Sequence, residues 1–461
     1  MSGVCIEDTL IHSLGWHRDK EGRSFYCAGD RMIVHHSTGR FKADSALSEN
    51  FHLEIDEDIE ERNAANWALT HAAIDYEYSA IIFATGLLGL MRQIILDADI
   101  KPPSVIYVVG ESQTRKTTLA RMCCLLYSRS CISNTDIGIS RVNGTVVKTE
   151  ELMDAYKDAT YILDDLYREP IKKVRSENER LVRNVIRNFA DNAARKTAHT
   201  SYQNNCQVLI TAEYLLESKT DLGRCFVVRV DRKINGERLA ACQAEPLVLS
   251  TAYYYFIHWL CSQYDSIVDE LRKRFVQFRD NVEKRTMQYD RIYETGFLLN
   301  FVFSTFCDYA HAVKGIREEE AFQAKQGFDQ LVSLTIQKQE EIMAVIERRE
   351  KPITNFSLEL INLLKSKDSC FGKKGSECFE KGKYLYVTCD FLCRKLYEEY
   401  LQTISARTIT KYFADRFINK KDGEKNTVKY GKEGKRYLAL NIEKLVQDAE
   451  DKTAEIKRMF F

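Results

Sequence analysis

The chain has 461 residues, 29% charged and 44% hydrophobic, with 67 basic side chains balanced by 67 acidic ones. At about 150 residues per domain this length suggests roughly three domains. The composition excludes a disordered acidic tail, a coiled-coil rod and a uniformly basic nucleic-acid coat.

Only 5 prolines and 21 glycines favour a helix-rich chain over a many-turned β-sandwich. Met1 to Leu14 carries Glu7 and Asp8 with no basic end and apolar block, so no signal peptide is expected. The uncharged stretch Ser79 to Met91 is too short to span a bilayer and reads as a buried helix. The 14 cysteines lack small-domain spacing and point to reduced thiols, a cytoplasmic setting and no membrane partner.

In chain order, residues 1–60 read as a small strand-rich piece, with Ser24–Cys27 and Arg31–Val34 set between glycines. Residues 61–103 read as helix leading into the core, ended by Lys101-Pro102-Pro103. Residues 104–246 alternate short apolar runs with helical patterns. The runs Val105–Val109, Thr160–Leu163, Gln207–Ile210 and Cys225–Val228 predict buried parallel strands in an α/β layer structure. Residues 247–351 read as an all-helical lid or connecting bundle, where the Tyr253–Phe256 cluster serves packing. Residues 352–461 are mixed.

Gly110-Glu111-Ser112-Gln113-Thr114-Arg115-Lys116-Thr117-Thr118 lies between a predicted strand and a predicted helix. Backbone amides and a helix N-terminus favour an anion there. Lys116 offers a point charge to β/γ-phosphates, and the Thr117 hydroxyl is placed to ligate Mg²⁺. The spacing fits G-x-x-x-x-G-K-[ST] with one departure, Arg115 in place of the second glycine. Arginine there costs backbone freedom if positive φ is needed, or adds a cation near the phosphates. Asp164 and Asp165 end an apolar strand 48 and 49 residues beyond Lys116. Asp164 is expected to hold Mg²⁺ through water, and Asp165 to act as general base. On the next strand Thr211 is placed to sense the γ-phosphate or position water, with Glu213 as competitor. Arg224, at a strand entrance, either reaches a neighbouring subunit's γ-phosphate or pairs locally.

These residues resemble the AAA+ side of the P-loop ATPases, closest to superfamily 3-type helicases and the helicase-like ATPase domain of bacterial mobile elements. The similarity rests on Gly110–Thr118, Thr160–Asp165, Gln207–Glu213 and Gly223–Phe226, and covers about residues 104–231. It implies a ring, usually hexameric, with ATP and Mg²⁺ between copies and Arg224 supplied in trans. Thr211 then takes a sensor position where the family usually has asparagine. In such rings the segment before the sensor strand projects into the pore. Arg195 and Lys196 are then candidates for phosphate contacts, with His199 and Tyr202 for base stacking. The bland alternative is a solvated helical face.

In the last block, helices over Phe356–Leu364, Asp390–Tyr400 and Ser405–Phe417 precede a hairpin of Thr427–Tyr430 and Arg436–Leu440, the plan of a winged helix. Ten basic and four acidic residues fall between Arg407 and Arg436. Arg407, Thr408, Lys411, Lys432, Lys435 and Arg436 are the expected DNA contacts, though such modules also dock proteins. Cys370, Cys378, Cys389 and Cys393 lack a C-x₂-C knuckle and read as free thiols.

The expected whole is an ATP-driven motor or loader acting on single-stranded or forked DNA, for replication of a phage, plasmid or integrated element. The rivals are an ATP-switched DNA-binding regulator with little turnover and a scaffold with a degenerate site.

Overall fold

The computed structural model describes residues 9–35, 40–127, 137–191, 195–196, 201–202, 204–216, 218–283, 290–350, 353, 355–365, 376–400, 404–419, 427–430 and 434–450. The chain divides into two compact units, Met1–Met343 and Ala344–Phe461. No described helix is long and apolar enough to cross a membrane.

The first unit is mixed α/β around a five-stranded, wholly parallel sheet. Its spatial order is Cys225–Val230, Val105–Gly110, Gln207–Ala212, Thr160–Leu166, Ile139–Arg141. The first four are nearly continuous buried runs, as strands covered on both faces must be. The edge strand Ile139–Arg141 has three residues, too few for a periodic signal, and the sequence alone does not reveal it. From Val105–Gly110 the chain runs to the far edge, returns strand by strand, then crosses to Cys225–Val230. The order therefore reverses beside Val105–Gly110, where α/β sheets open a crevice at their carboxyl ends.

Helix Tyr76–Leu90 buries thirteen of its fifteen residues, which is why it is apolar on every side. Three long helices follow the sheet: Val248–Glu283, Asp290–Ala312 and Glu318–Glu350. Gln339, on the third, covers the sheet edge. Its Oε1 accepts Val227 N–H at 2.9 Å and its Nε2 donates to Cys225 O at 2.8 Å, removing an open pairing template. Tyr253 and Phe256, on the first, are buried, and the Tyr253 hydroxyl donates to Cys123 O.

Near the N-terminus, Gly15–Arg18, Ser24–Ala28 and Arg31–Ile33 form an antiparallel sheet. Trp16 fastens it to the parallel core, donating its amide to Asp158 Oδ2 at 3.0 Å and its indole N–H to Leu90 O at 2.7 Å.

The second unit has an antiparallel sheet ordered Cys378–Lys381, Tyr384–Val387, Lys435–Asn441, Val428–Tyr430. With helices Phe356–Lys365, Cys389–Tyr400 and Ala406–Asp415 it encloses Leu360, Val387, Phe391, Ile409, Phe413 and Leu438. The middle helix is capped by Thr388, whose hydroxyl accepts Phe391 N–H at 3.3 Å. The helix expected to begin at Asp390 begins at Cys389, so Asp390 lies inside its first turn.

Candidate functional site

At the carboxyl end of Val105–Gly110 the chain turns through Glu111–Arg115 into helix Lys116–Cys124. The unpaired amides of that helix start suit an anion. Arg115 adopts the left-handed conformation, φ 71° and ψ 22°, and Gln113 has φ 64°. The loop thus does require positive φ where the motif has glycine, at a cost of about 1–3 kcal/mol per residue that surrounding contacts must offset. Three of the seven described non-glycine residues with positive φ, Gln113, Arg115 and Asp165, lie at this one site. The Arg115 guanidinium is held by Ile234, donating to its carbonyl at 2.7 Å.

Lys116 is 7% exposed. Its ammonium donates to Gly110 O and Glu111 O at 2.7 Å each and to Thr114 Oγ1 at 3.0 Å. Burial pulls its pKa below the ordinary lysine value, opposed by the carboxylates of Glu213, Asp164 and Asp165.

The acidic pair is built by an irregularity in the sheet. Leu163 pairs with Ile210 and Leu166 with Ala212, so Asp164 and Asp165 together oppose Thr211. That two-against-one register is a bulge, and Asp165 takes the left-handed conformation, φ 74°, within it. Asp164 is buried, and its Oδ1 accepts the Thr117 hydroxyl at 2.7 Å and the Thr211 hydroxyl at 2.5 Å. The Thr211 hydroxyl in turn accepts Asp165 N–H at 3.1 Å, so both of its hydrogen-bonding roles are used within the acidic pair. Partial burial and the neighbouring Asp164 push the Asp165 carboxyl above its ordinary value, against Arg141 and Lys116. Thr117 and Asp164 are adjacent hard oxygen donors, the kind Mg²⁺ takes, so the residues fit that ion.

A cavity of about 440 Å³ opens here, lined by loop residues Ser112–Gln113 and Arg115–Thr118 together with Asp165, Thr211, Ala212, Glu213 and Lys233. Its size lies in the usual range for small-molecule sites. Lys233 is the lining residue that motif reading misses. The signal lies in strand pairing: Val230 sits opposite Gly110, so residues just beyond Val230 fall beside the loop.

Arg224 stands elsewhere. Its carbonyl accepts Val105 N–H, at the end of the sheet opposite the loop. Its side chain bonds Thr220 O at 3.0 Å and Asp191 at 3.4 Å, and Arg291 shares Asp191. Arg195–Lys196 and Ser201–Tyr202 form a short antiparallel pair. The side chains of these four residues, and all of His199, lie outside the described residues.

In the second unit Arg407 and Lys411 are exposed on helix Ala406–Asp415, and Lys435 and Arg436 are exposed on the hairpin. Thr408 serves the helix cap, its N–H donating to the Ser405 hydroxyl at 3.1 Å. Lys432 and Cys370 lie outside the described residues.

No protein-family model matches the chain, and no curated protein matches it. A solved structure described as "SCCmec type IV Cch - active helicase" superposes with a TM-score of 0.52 at 12% identity, covering 95% of this chain and 81% of that one. The fold is helicase-like. A structure of the JCV helicase matches at a TM-score of 0.28 and 13% identity, over 56% of this chain and 66% of that one.

Proposed function

We propose that this protein is an ATPase motor, or a loader of one, that converts ATP and water to ADP and phosphate while moving along or remodelling single-stranded or forked DNA. The observation that carries this reading is the meeting of Lys116, Thr117, Asp165 and Thr211, with Asp164 bonded to two of them, at a single cavity. The amides of Gly110–Thr118 and the Lys116 ammonium grip the phosphate chain. Thr117 and Asp164 would hold Mg²⁺, which when bound neutralises charge on the β- and γ-phosphates. Asp165, raised in pKa, takes the proton of the attacking water, and Thr211 fixes the acidic pair.

Arg224 lies too far from its own loop to touch the same phosphates, so its role as a finger requires a neighbouring copy, as in a hexameric ring. The second unit is read as a winged helix, with Arg407, Lys411, Lys435 and Arg436, and Lys432 on the wing turn, directed at DNA. Arg195 and Lys196 are read as a DNA-tracking hairpin. Replication of a mobile element is the setting this reading favours.

A second reading, an ATP-bound switch with little turnover, is favoured by Arg115 in a strained loop. ATPase rates with and without single-stranded DNA separate the two. The motor predicts DNA-stimulated turnover that Lys116→Ala abolishes, whereas a switch binds ATP with negligible turnover either way.

A further inference from the structure

Segment Asp231–Arg238, which follows the edge strand Cys225–Val230, is pinned from both sides. Toward the loop, Ile234 N–H donates to Thr114 O at 3.3 Å while its carbonyl accepts the Arg115 guanidinium at 2.7 Å. Away from it, Asp75 accepts Asn235 N–H at 2.6 Å and Arg232 Nη1 at 2.7 Å, and Arg238 donates to Ile74 O at 3.2 Å. A Cβ built on Gly236 would stand 2.1 Å from Arg115 Nη1 and 2.5 Å from Cζ, so the guanidinium occupies the space that this glycine leaves. Arg115 is thus engaged in holding the segment.

In the middle of it, Lys233 lines the cavity, exposed, with no hydrogen-bond or ion-pair partner among the described residues. The other two cations of the lining are engaged, Lys116 with loop oxygens and Arg115 with Ile234.

Building on the nucleotide reading above, we infer that Lys233 is a second phosphate-binding cation of the same chain, and that Arg115 is its positioning residue rather than a phosphate ligand. Besides the Lys116 ammonium, a polyanion entering beside Asp165 and Glu213 needs a second positive charge, one that is not already bonded to protein. Lys233 supplies it from a segment whose backbone is fixed before binding, which limits the ordering cost. The arginine that replaces the motif glycine therefore acts as a tether, its side chain tying the strained loop to the segment that carries the extra lysine.

The test is titration of the full-length protein with a fluorescent N-methylanthraniloyl-ATP, with melting curves alongside. Losing one charge-assisted contact, Lys233→Ala is expected to weaken binding about tenfold at an unchanged melting temperature, and Lys233→Arg to restore it. Gly236→Ala, which displaces the Arg115 guanidinium without altering the loop sequence, is expected to weaken binding similarly. The double variant should be no weaker than Lys233→Ala alone, because both changes remove one coupled interaction. Wild-type affinity in Lys233→Ala, or losses that multiply in the double variant, would overturn the inference. Lys116→Ala is run in parallel. If it abolishes binding while Lys233→Ala is silent, only the inference falls; if Lys116→Ala binds normally, the nucleotide reading itself falls.

Discussion

One buried aspartate precedes the strand Thr160–Leu166 and another lies near its finish, and the two have different surroundings. Before its start, Asp158 is 1% exposed and accepts the Trp16 amide, with Lys157 at 3.8 Å. Near its finish, Asp164 is 7% exposed and accepts two hydroxyls, Thr117 and Thr211, beside a cavity. Burial pushes the Asp158 carboxyl up to about 6, against the pull of Lys157 and the Trp16 amide. A low exposure therefore identifies neither as functional. The partners separate them: a backbone amide from Trp16 marks a joint between layers, whereas converging hydroxyls, a second carboxylate and an opening are what the proposed site for chemistry needs.

Several substitutions sharpen this contrast. At the cavity end, Asp165→Asn removes the proposed base and is expected to cut turnover about 10²- to 10⁴-fold with little change in melting temperature. Because the Asp165 carboxyl titrates above its ordinary value, wild-type turnover should rise with pH through a limb above the ordinary aspartate value of about 3.9, and steady-state rates across pH check this. At the joint, Trp16→Ala empties a buried site and is expected to destabilise the protein by about 3–5 kcal/mol in denaturant titrations.

Asp158→Asn should do the reverse. A folded-state pKa raised above the unfolded value gives stability that is present at low pH and lost as pH rises through about 6. The asparagine keeps an acceptor for Trp16 N–H, so the variant is expected to gain up to about 2–3 kcal/mol over wild type at pH 8 and little at pH 4. Thermal melts at both pH values check it, and equal gains would erase the distinction between the two ends. Smallest is Thr211→Val, about 1 kcal/mol in stability from the lost hydrogen bonds, with a several-fold fall in turnover.

Much of the cavity end was legible in the amino-acid sequence, because a phosphate-type loop and an acidic strand end are local patterns. Val105–Val109, Thr160–Leu163, Gln207–Ile210 and Cys225–Val228 are short apolar runs that read as buried strands, and their pairing brings the loop and the acids together. The joint was not legible. Trp16 and Asp158 are 142 residues apart, and nothing local to either predicts the contact. Lys233 was missed for a similar reason, since its place depends on which strand neighbours Val105–Gly110. The bulge at Asp164–Asp165 depends on the register against Thr211, which one strand's sequence does not contain. Arg115 shows the converse. Its departure from the motif was visible at once, while its bond to Ile234 required the fold.

The central claim is that the loop from Gly110 to Thr118 grips a nucleoside triphosphate despite Arg115. Isothermal calorimetry of ATP with Mg²⁺ into wild-type protein tests it most directly. The account predicts saturable heat for wild type and a flat trace for Lys116→Ala. A flat trace for wild type, or matching isotherms for the two proteins, would contradict it.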